Sequence, residues 1–495
     1  MAESTVFDAA DEMNSGGPTE AVVGAAAPKA SWRIDLLERV PGLRWLVKRR
    51  WFQFAVIFPN LAVFYFFLLA GVFGSPVGSR NIIVVFVWIL WWFALIAIMV
   101  PFASRVWCTV CPFPFFGEWF QRRRLIGVAT GKPGVGRNRM AGLRRRWPKV
   151  LSNIWLQNFG FLALCTFSAL LVTRPIVSVI VLGGLFVMAT IVHIIFRQRT
   201  FCMYLCPVSG FLSLYSMTSM LALRSKNKEV CGNCKQKACL AGNEKGWGCP
   251  WFQHMQKMDR NNYCGLCMEC VKSCPHDNIT LYARPFASDT LLKGYDEVWK
   301  AFIMLTLAMT YSVVLLGPWG ILKNWANISE VGDWVGFLTY AGSLWFVALV
   351  GLPLIYYAAI RAGRWLAGSE TVTVKDMFIQ YGYTLVPLGL FAWIAFSIPL
   401  VMINGSYIVS VISDPLGWGW NIFGTADVHW TPVLPEYTGW FQIPVLALGL
   451  YWALKKGFEI AVRMHGEVRQ AGRSILPLCV LLLLVTTVLI VLFVG

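Results

Sequence analysis

Charge is what this sequence of 495 residues has least of. Asp, Glu, Lys and Arg make up only 14% of it, against about 25% in an ordinary soluble domain. With 57% hydrophobic residues beside that, a soluble globule is excluded and a polytopic membrane protein is expected. Acidic residues are the scarcer sign, 25 against 43 Lys and Arg. The basic surplus sits in loops between apolar runs, which marks membrane topology rather than a nucleic-acid surface, so no nucleic-acid partner is expected. Histidine is scarce as well, five in all. Only His193 falls inside a clear apolar run, too few ligands for a bis-histidine haem between helices. Cys-x-x-Cys-His is absent, which excludes an attached c-type haem. No Rossmann fingerprint or P-loop is present, which argues against NAD or ATP as a direct substrate. Residues 1–30 lack an apolar core and read as a disordered tail rather than a signal peptide.

What the chain does have is cysteine, and eight of its fourteen lie between Cys231 and Cys274. Cys264-x2-Cys267-x2-Cys270-x3-Cys274-Pro275 has the spacing of a bacterial ferredoxin [4Fe-4S] run. Cys231-x2-Cys234-x4-Cys239 is a looser relative, closed by Cys249-Pro250 after a nine-residue insertion. In two-cluster ferredoxins the cysteine before proline ligates the other run's cluster. This predicts one [4Fe-4S] cluster on Cys231, Cys234, Cys239 and Cys274, and a second on Cys264, Cys267, Cys270 and Cys249. A zinc ribbon would use four ligands, not eight, and disulfides would need an oxidising compartment.

Nine apolar runs are long enough to be spans: about 52–73, 82–103, 151–172, 176–196, 299–317, 335–357, 378–402, 439–455 and 475–494. Seven Lys and Arg precede the first, and ten lie in loop 121–149, including Arg122-Arg123-Arg124 and Arg144-Arg145-Arg146. The alternate loops are nearly bare of them. By the positive-inside rule the N-terminus and the cysteine-rich segment lie in the cytoplasm, and an odd span count puts the C-terminus outside, in the periplasm. The expected fold is an all-α polytopic membrane bundle of about nine transmembrane helices with a small cytoplasmic ferredoxin-like insertion, in the inner (cytoplasmic) membrane. Its expected parts are a disordered, basic N-terminal region over 1–50, a four-helix membrane repeat over 51–223, a ferredoxin-like domain over 224–285 and a membrane domain of about five helices over 296–495.

The first half repeats itself. Two spans lead to Arg105-Val106-Trp107-Cys108-x2-Cys111-Pro112, and two more lead to Arg199-Thr200-Phe201-Cys202-x3-Cys206-Pro207. Proline after the second cysteine interrupts the helix and frees backbone donors, which can hydrogen-bond cluster sulfur and tune its potential. If the repeats face each other, Cys108, Cys111, Cys202 and Cys206 form a third [4Fe-4S] site. Redox-active dithiols and a zinc or copper site are the alternatives, as are two turns that merely contain cysteine. The short apolar segment 208–223 is expected at the membrane interface. Cys165 and Cys479, alone in their spans, read as packing residues. Loop 403–440, rich in Trp and carrying Asp414, Asp427, His429 and Glu436, reads as an interfacial anchor, with docking of a periplasmic partner as its functional alternative.

Two-span repeats ending in Cys-x2/3-Cys-Pro, followed by a tandem ferredoxin segment, resemble the polyferredoxin membrane proteins of the NapH/NosR/RdxA group. The likeness covers residues 50–285. It implies that the motif cysteines ligate redox centres and that the protein moves electrons between the quinone pool and other redox protein subunits. The first membrane pair departs from that pattern, being x2 rather than x3, and residues 296–495 have no counterpart in the nitrate-type members. Quinone sites favour an apolar cleft with a proton-accepting side chain, and His193 and Glu118, close to the membrane cysteines, are the candidates. A quinol dehydrogenase-like electron-transfer subunit is therefore expected. A metalloenzyme assembly factor that reduces copper or a nascent cofactor is an alternative, and a redox-sensing regulator a third.

Overall fold

The computed structural model describes residues 32–123, 141–316, 320–368 and 371–494. The expected disordered tail, and the middle of the basic loop with Arg124, lie outside the described residues. The chain is mostly helical, and its long helices are α1 (Arg50–Phe73), α2 (Ile82–Ala103), α3 (Pro175–Ile195), α4 (Tyr295–Leu315), α5 (Trp334–Ala367), α6 (Val374–Asn404), α7 (Thr438–His465) and α8 (Val468–Val494). All but α7 are long and apolar enough to cross a membrane, which makes this a multi-pass membrane protein.

Seven helices among the described residues are long and apolar enough to cross a membrane, against the nine runs read from the sequence. The run 151–172 does not form one helix. It breaks at Phe167 into Trp155–Thr166 and Ser168–Thr173, each too short to span alone. The Thr166 hydroxyl bonds back to the Leu162 carbonyl and accepts the Trp345 indole N–H, pinning the break against α5. The run 439–455 lies within α7, where Gln442 and Pro444 dilute the apolar stretch and Lys455-Lys456 end it. Even so, α7 runs antiparallel along α8: Gly439 faces Val494 at one end and Gly457 faces Ile475 nearer the other.

The Trp-rich loop closes the end of the bundle where α7 begins and α8 finishes. The Trp418 indole donates to the Phe73 carbonyl (3.0 Å), the Ser75 N–H donates to Leu416 (2.6 Å), and the Trp430 indole donates to Ile403 (2.7 Å). Asp414 accepts from the backbone of Trp418 and Gly419. Loop 403–440 therefore folds back on its own bundle through backbone partners. Asp427, His429 and Glu436 are not gathered into a site with Asp414.

At the opposite end a three-stranded antiparallel sheet of β1 (Ile34–Asp35), β2 (Leu221–Ser225) and β3 (Ile279–Ala283), in the order β1-β3-β2, frames the cysteine-rich segment. Leu223 faces Leu281, and Ile34 faces Ala283. Residues 34–48, expected within a disordered basic region, are thus ordered here. β3 has a free edge, and pairing it with β1 satisfies backbone groups that would otherwise be exposed. Lys48 (2.8 Å) and Arg44 then pair with Asp277.

Segment 208–223 is also placed differently from expectation. Helix Pro207–Tyr215 is buried except at Val208, which is partly buried, because it carries no charged residue and its two serines, Ser209 and Ser213, find partners inside the protein. Phe211 packs against Trp92, Phe161 and Trp393 at ring separations of 5.2–5.7 Å.

One carboxylate ties the cysteine-rich segment to the sheet. Buried Asp289 accepts from Arg224 (3.0 Å), from Arg284 (2.7 Å) and from the Asn261 backbone N–H (2.8 Å). Burial alone would raise its pKa, but the two guanidiniums hold it below the usual carboxylate range. Its contribution is therefore complete above the ordinary aspartate pKa and fades as pH falls through the lowered folded value. Asp289→Asn leaves two buried cations uncompensated and is expected to cost about 3–5 kcal/mol, read as a lower unfolding midpoint in detergent at neutral pH.

Candidate metal centre

The cysteines gather into three sets. Cys231, Cys234, Cys239 and Cys274 line one cavity, with His254 and Asn278 in its wall. Cys249, Cys264, Cys267 and Cys270 lie within electrostatic range of one another. Cys108, Cys111, Cys202 and Cys206 do likewise, brought together from the two repeats. None of the fourteen cysteines is in a disulfide. Cys165 stands apart against the Tyr311 hydroxyl, and Cys479 lies partly buried in α8.

The turns explain how each set is held. After three of the four Cys-Pro pairs the chain folds back so that a backbone N–H points at the cysteine sulfur: Ser209 to Cys206 (3.4 Å), Gln253 to Cys249 (3.3 Å) and Asn278 to Cys274 (3.4 Å). The Asn278 amide also donates to Cys231 Sγ (3.3 Å), joining the two ends of the first set. Burial raises the thiols of the metal-free chain. Cys239, Cys267 and Cys206 are each pushed up to about 12, and Cys111 and Cys202 are raised too. Thiols in such a setting ionise when a metal replaces the proton.

Among the described residues no group of three or more His, Cys, Asp or Glu side chains is placed to hold a single metal ion. A cubane spreads its four ligands over separate corners, so quartets of thiols with N–H donors aimed at sulfur fit [4Fe-4S] clusters better than mononuclear zinc.

Two arginines lock the membrane set to the rest, and each precedes the first cysteine of its repeat by three residues. Arg105, only 1% exposed, donates to Cys108 Sγ (3.7 Å), to the Asn262 carbonyl and to the Ser209 hydroxyl, and it stacks on Trp251 at 4.3 Å. No carboxylate pairs with it among the described residues. Arg199, fully buried, donates to the Cys108 carbonyl and clasps Glu118 through Nε (2.6 Å) and Nη2 (3.1 Å). Each arginine reaches across to the other repeat. Thr109 bonds Gly265, and the Arg199 N–H bonds Pro250 (3.3 Å), seating the second ferredoxin set directly on the membrane set. The sequence displayed both arginines at matching repeat positions, but their crossed contacts are long-range and were not visible in it.

The two candidate proton acceptors have different surroundings. Glu118 is a structural counter-ion. Burial would raise its carboxyl, but Arg122 and Arg199 hold it at about 2. It lines a small charged cavity with Arg50, Arg122, Lys245, Glu269 and Lys272. His193 is fully buried, and neither ring nitrogen has a partner in hydrogen-bond geometry, although the Ala189 carbonyl one turn back lies within electrostatic range. Neither residue lines the large apolar cavity. That cavity, of about 470 Å³, runs between Trp155–Thr166 and α3 and ends at Leu205 and Pro207, beside Cys206.

Residues 84–131 and 179–228 each match the family model of a 4Fe-4S binding domain. The first stretch contains Cys108 and Cys111, the second contains Cys202 and Cys206, and both end before Cys231. With the seven apolar helices, these matches mark a membrane protein of ferredoxin-type iron–sulfur character. An uncharacterized protein from Methanocaldococcus jannaschii is similar, 25% identical over 260 residues that make up 49% of this chain and 96% of that protein. No solved structure matches.

Glu118→Gln should leave the Arg199 guanidinium buried without a counter-charge. An expected loss of about 3–5 kcal/mol would appear as a lower thermal midpoint at neutral pH. The difference from the native chain should shrink in acid, because the native ion pair is itself lost as pH falls toward about 2.

Proposed function

We propose that this protein is an electron-transfer subunit of the cytoplasmic membrane that carries three [4Fe-4S] clusters between a redox partner and the quinone pool. The outer ligand set is Cys231, Cys234, Cys239 and Cys274. The intermediate set is Cys249, Cys264, Cys267 and Cys270, and the membrane set is Cys108, Cys111, Cys202 and Cys206. Bound clusters would supply one-electron chemistry over a range of potentials that the protein tunes. The chain's own part is to hold the thiolates, exclude water and place the sets in sequence. Cys239 lies in electrostatic range of Cys270, and Arg199 in range of both Cys267 and Cys202, so the three sets form a continuous series from the sheet to the membrane helices.

The observation that carries this reading is the position of the two 4Fe-4S family matches on the membrane repeats, whose four cysteines converge directly beneath the ferredoxin segment. It favours a cluster there over a dithiol or copper site. The resemblance to the NapH/NosR/RdxA group supports the quinone pool as the membrane-side partner. The apolar cavity beside Cys206 has the size and lining of a small-molecule site and is the candidate quinone cleft. Since His193 and Glu118 stand outside it, their part in quinone chemistry would be indirect. The basic loops at the ferredoxin end support a cytoplasmic location for that end and a periplasmic one for Val494.

Iron and acid-labile sulfide on anaerobically purified protein test the reading. About twelve iron atoms per chain are expected, at four per cubane, falling to about eight in Cys108→Ser/Cys202→Ser. About eight in both would remove the membrane cluster and leave those four cysteines to dithiol or copper chemistry.

A further inference from the structure

Lys300 is the least expected charge in the molecule. It lies in α4, one of the membrane-crossing helices, and is only 1% exposed. Ionisable side chains buried within membrane-crossing helices are costly and mark ion or proton pathways by default. No carboxylate lies within ion-pair distance of its ammonium among the described residues. Its partners are neutral: the Gln157 side-chain oxygen at 3.3 Å and the Ser213 hydroxyl at 3.4 Å.

Those partners lead to the membrane cysteines. The Gln157 amide donates to the Cys202 carbonyl at 3.1 Å, so one side chain separates Lys300 from the backbone of a proposed ligand. Gly210, four residues after Cys206, lets the group approach. A Cβ there would sit 3.3 Å from Lys300 Nζ and 3.1 Å from Gln157.

Asp296 is one helical turn before Lys300, on the same face of α4. It lines a polar cavity of about 130 Å³ at the ferredoxin end, together with Asn153, Tyr204, Arg260, Tyr263 and Glu297. Such a volume holds several waters, each of which needs about 10–15 Å³. The charged groups that face Lys300 are Asp296 and Glu297 on its own helix and Arg105 from the first cysteine turn. Helices Trp155–Thr166 and Pro207–Tyr215 contribute Gln157 and Ser213 as direct partners. Arg105 has the same sign as a charged Lys300 and also touches Cys108 Sγ, so added negative charge at the cysteines offsets the repulsion between the two cations.

We propose that Lys300 is a redox-linked proton site for the membrane cysteine centre, filled from the Asp296 cavity. The inference rests on the cluster assigned above to Cys108, Cys111, Cys202 and Cys206. One electron enters that centre from the neighbouring ferredoxin set, and one proton from cavity water joins the neutral Lys300 amine. Both leave when the centre is reoxidised, so no net charge accumulates in the dry interior. The site thereby couples electron passage to proton uptake from the ferredoxin end.

The test is a redox titration of the membrane cluster, followed by its paramagnetic resonance over a pH series around neutrality, on the anaerobically purified full chain. The native protein should lose potential with each tenfold fall in proton concentration, by about 59 mV per pH unit at one proton per electron. In Lys300→Met the potential should be independent of pH. Lys300→Arg, which keeps a permanent cation, should be equally flat and serves if the methionine variant does not fold. A slope that persists in either variant, or a flat native profile, overturns the proposal and leaves Lys300 as a staple between helices. About eight iron atoms and no membrane-cluster signal in the native protein would instead overturn the cluster assignment, and this inference with it.

Discussion

Two buried guanidiniums that each reach into the opposite repeat are the contact on which the ferredoxin end of this molecule depends. Arg105 and Arg199 occupy the same place in their repeats. Between them they touch the Cys108 sulfur and carbonyl, the Ser209 hydroxyl, the Asn262 carbonyl, Trp251 and Glu118. A buried charge is stable only where its hydrogen-bond capacity is nearly filled, so these contacts tolerate little movement of either repeat. The pair holds the first cysteine turn in place, Arg105 through the Cys108 sulfur and Arg199 through the Cys108 carbonyl, and brings positive charge close to the membrane cysteines.

The two arginines are not equivalent. Arg199 has its counter-ion in Glu118, whereas Arg105 has none among the described residues. Four thiolates around a cubane carry net negative charge, and a guanidinium held on Cys108 Sγ and stacked on Trp251 is placed to balance it. Lys300, further along the bundle, is met by the neutral Gln157 and Ser213 side chains, and no carboxylate among the described residues lies within pairing distance.

The two halves of the chain divide their work differently from the two repeats. The C-terminal helices carry no cysteine besides Cys479, yet α4 supplies Lys300 and Asp296, and α6 supplies Trp393 against the buried helix that follows Cys206-Pro207. The second half thus closes the back of the membrane centre. The Trp-rich loop seals the far end of the bundle by hydrogen bonds to backbone carbonyls.

The sequence by itself pointed to an iron–sulfur protein and to a multi-pass membrane architecture, and the 4Fe-4S family matches and the apolar helices agree with both. Cysteine runs act locally, so their spacing is legible without a fold, and apolar run length decides which segments can be spans. Repeat symmetry was visible for the same reason, in the matching Arg, aromatic and Cys-Pro positions. Tertiary structure alone decided what depends on distant contacts. It ordered residues 34–48 onto an open edge of β3, and it broke the run 151–172 at Phe167. It buried Pro207–Tyr215 instead of leaving it at an interface, and it turned Glu118 from a proton-acceptor candidate into a counter-ion. It also set the partners of Lys300, for a single lysine in an apolar run shows only that something polar must meet it. Which group meets it is set by how helices from opposite ends of the chain pack, and neither composition nor periodicity encodes that packing.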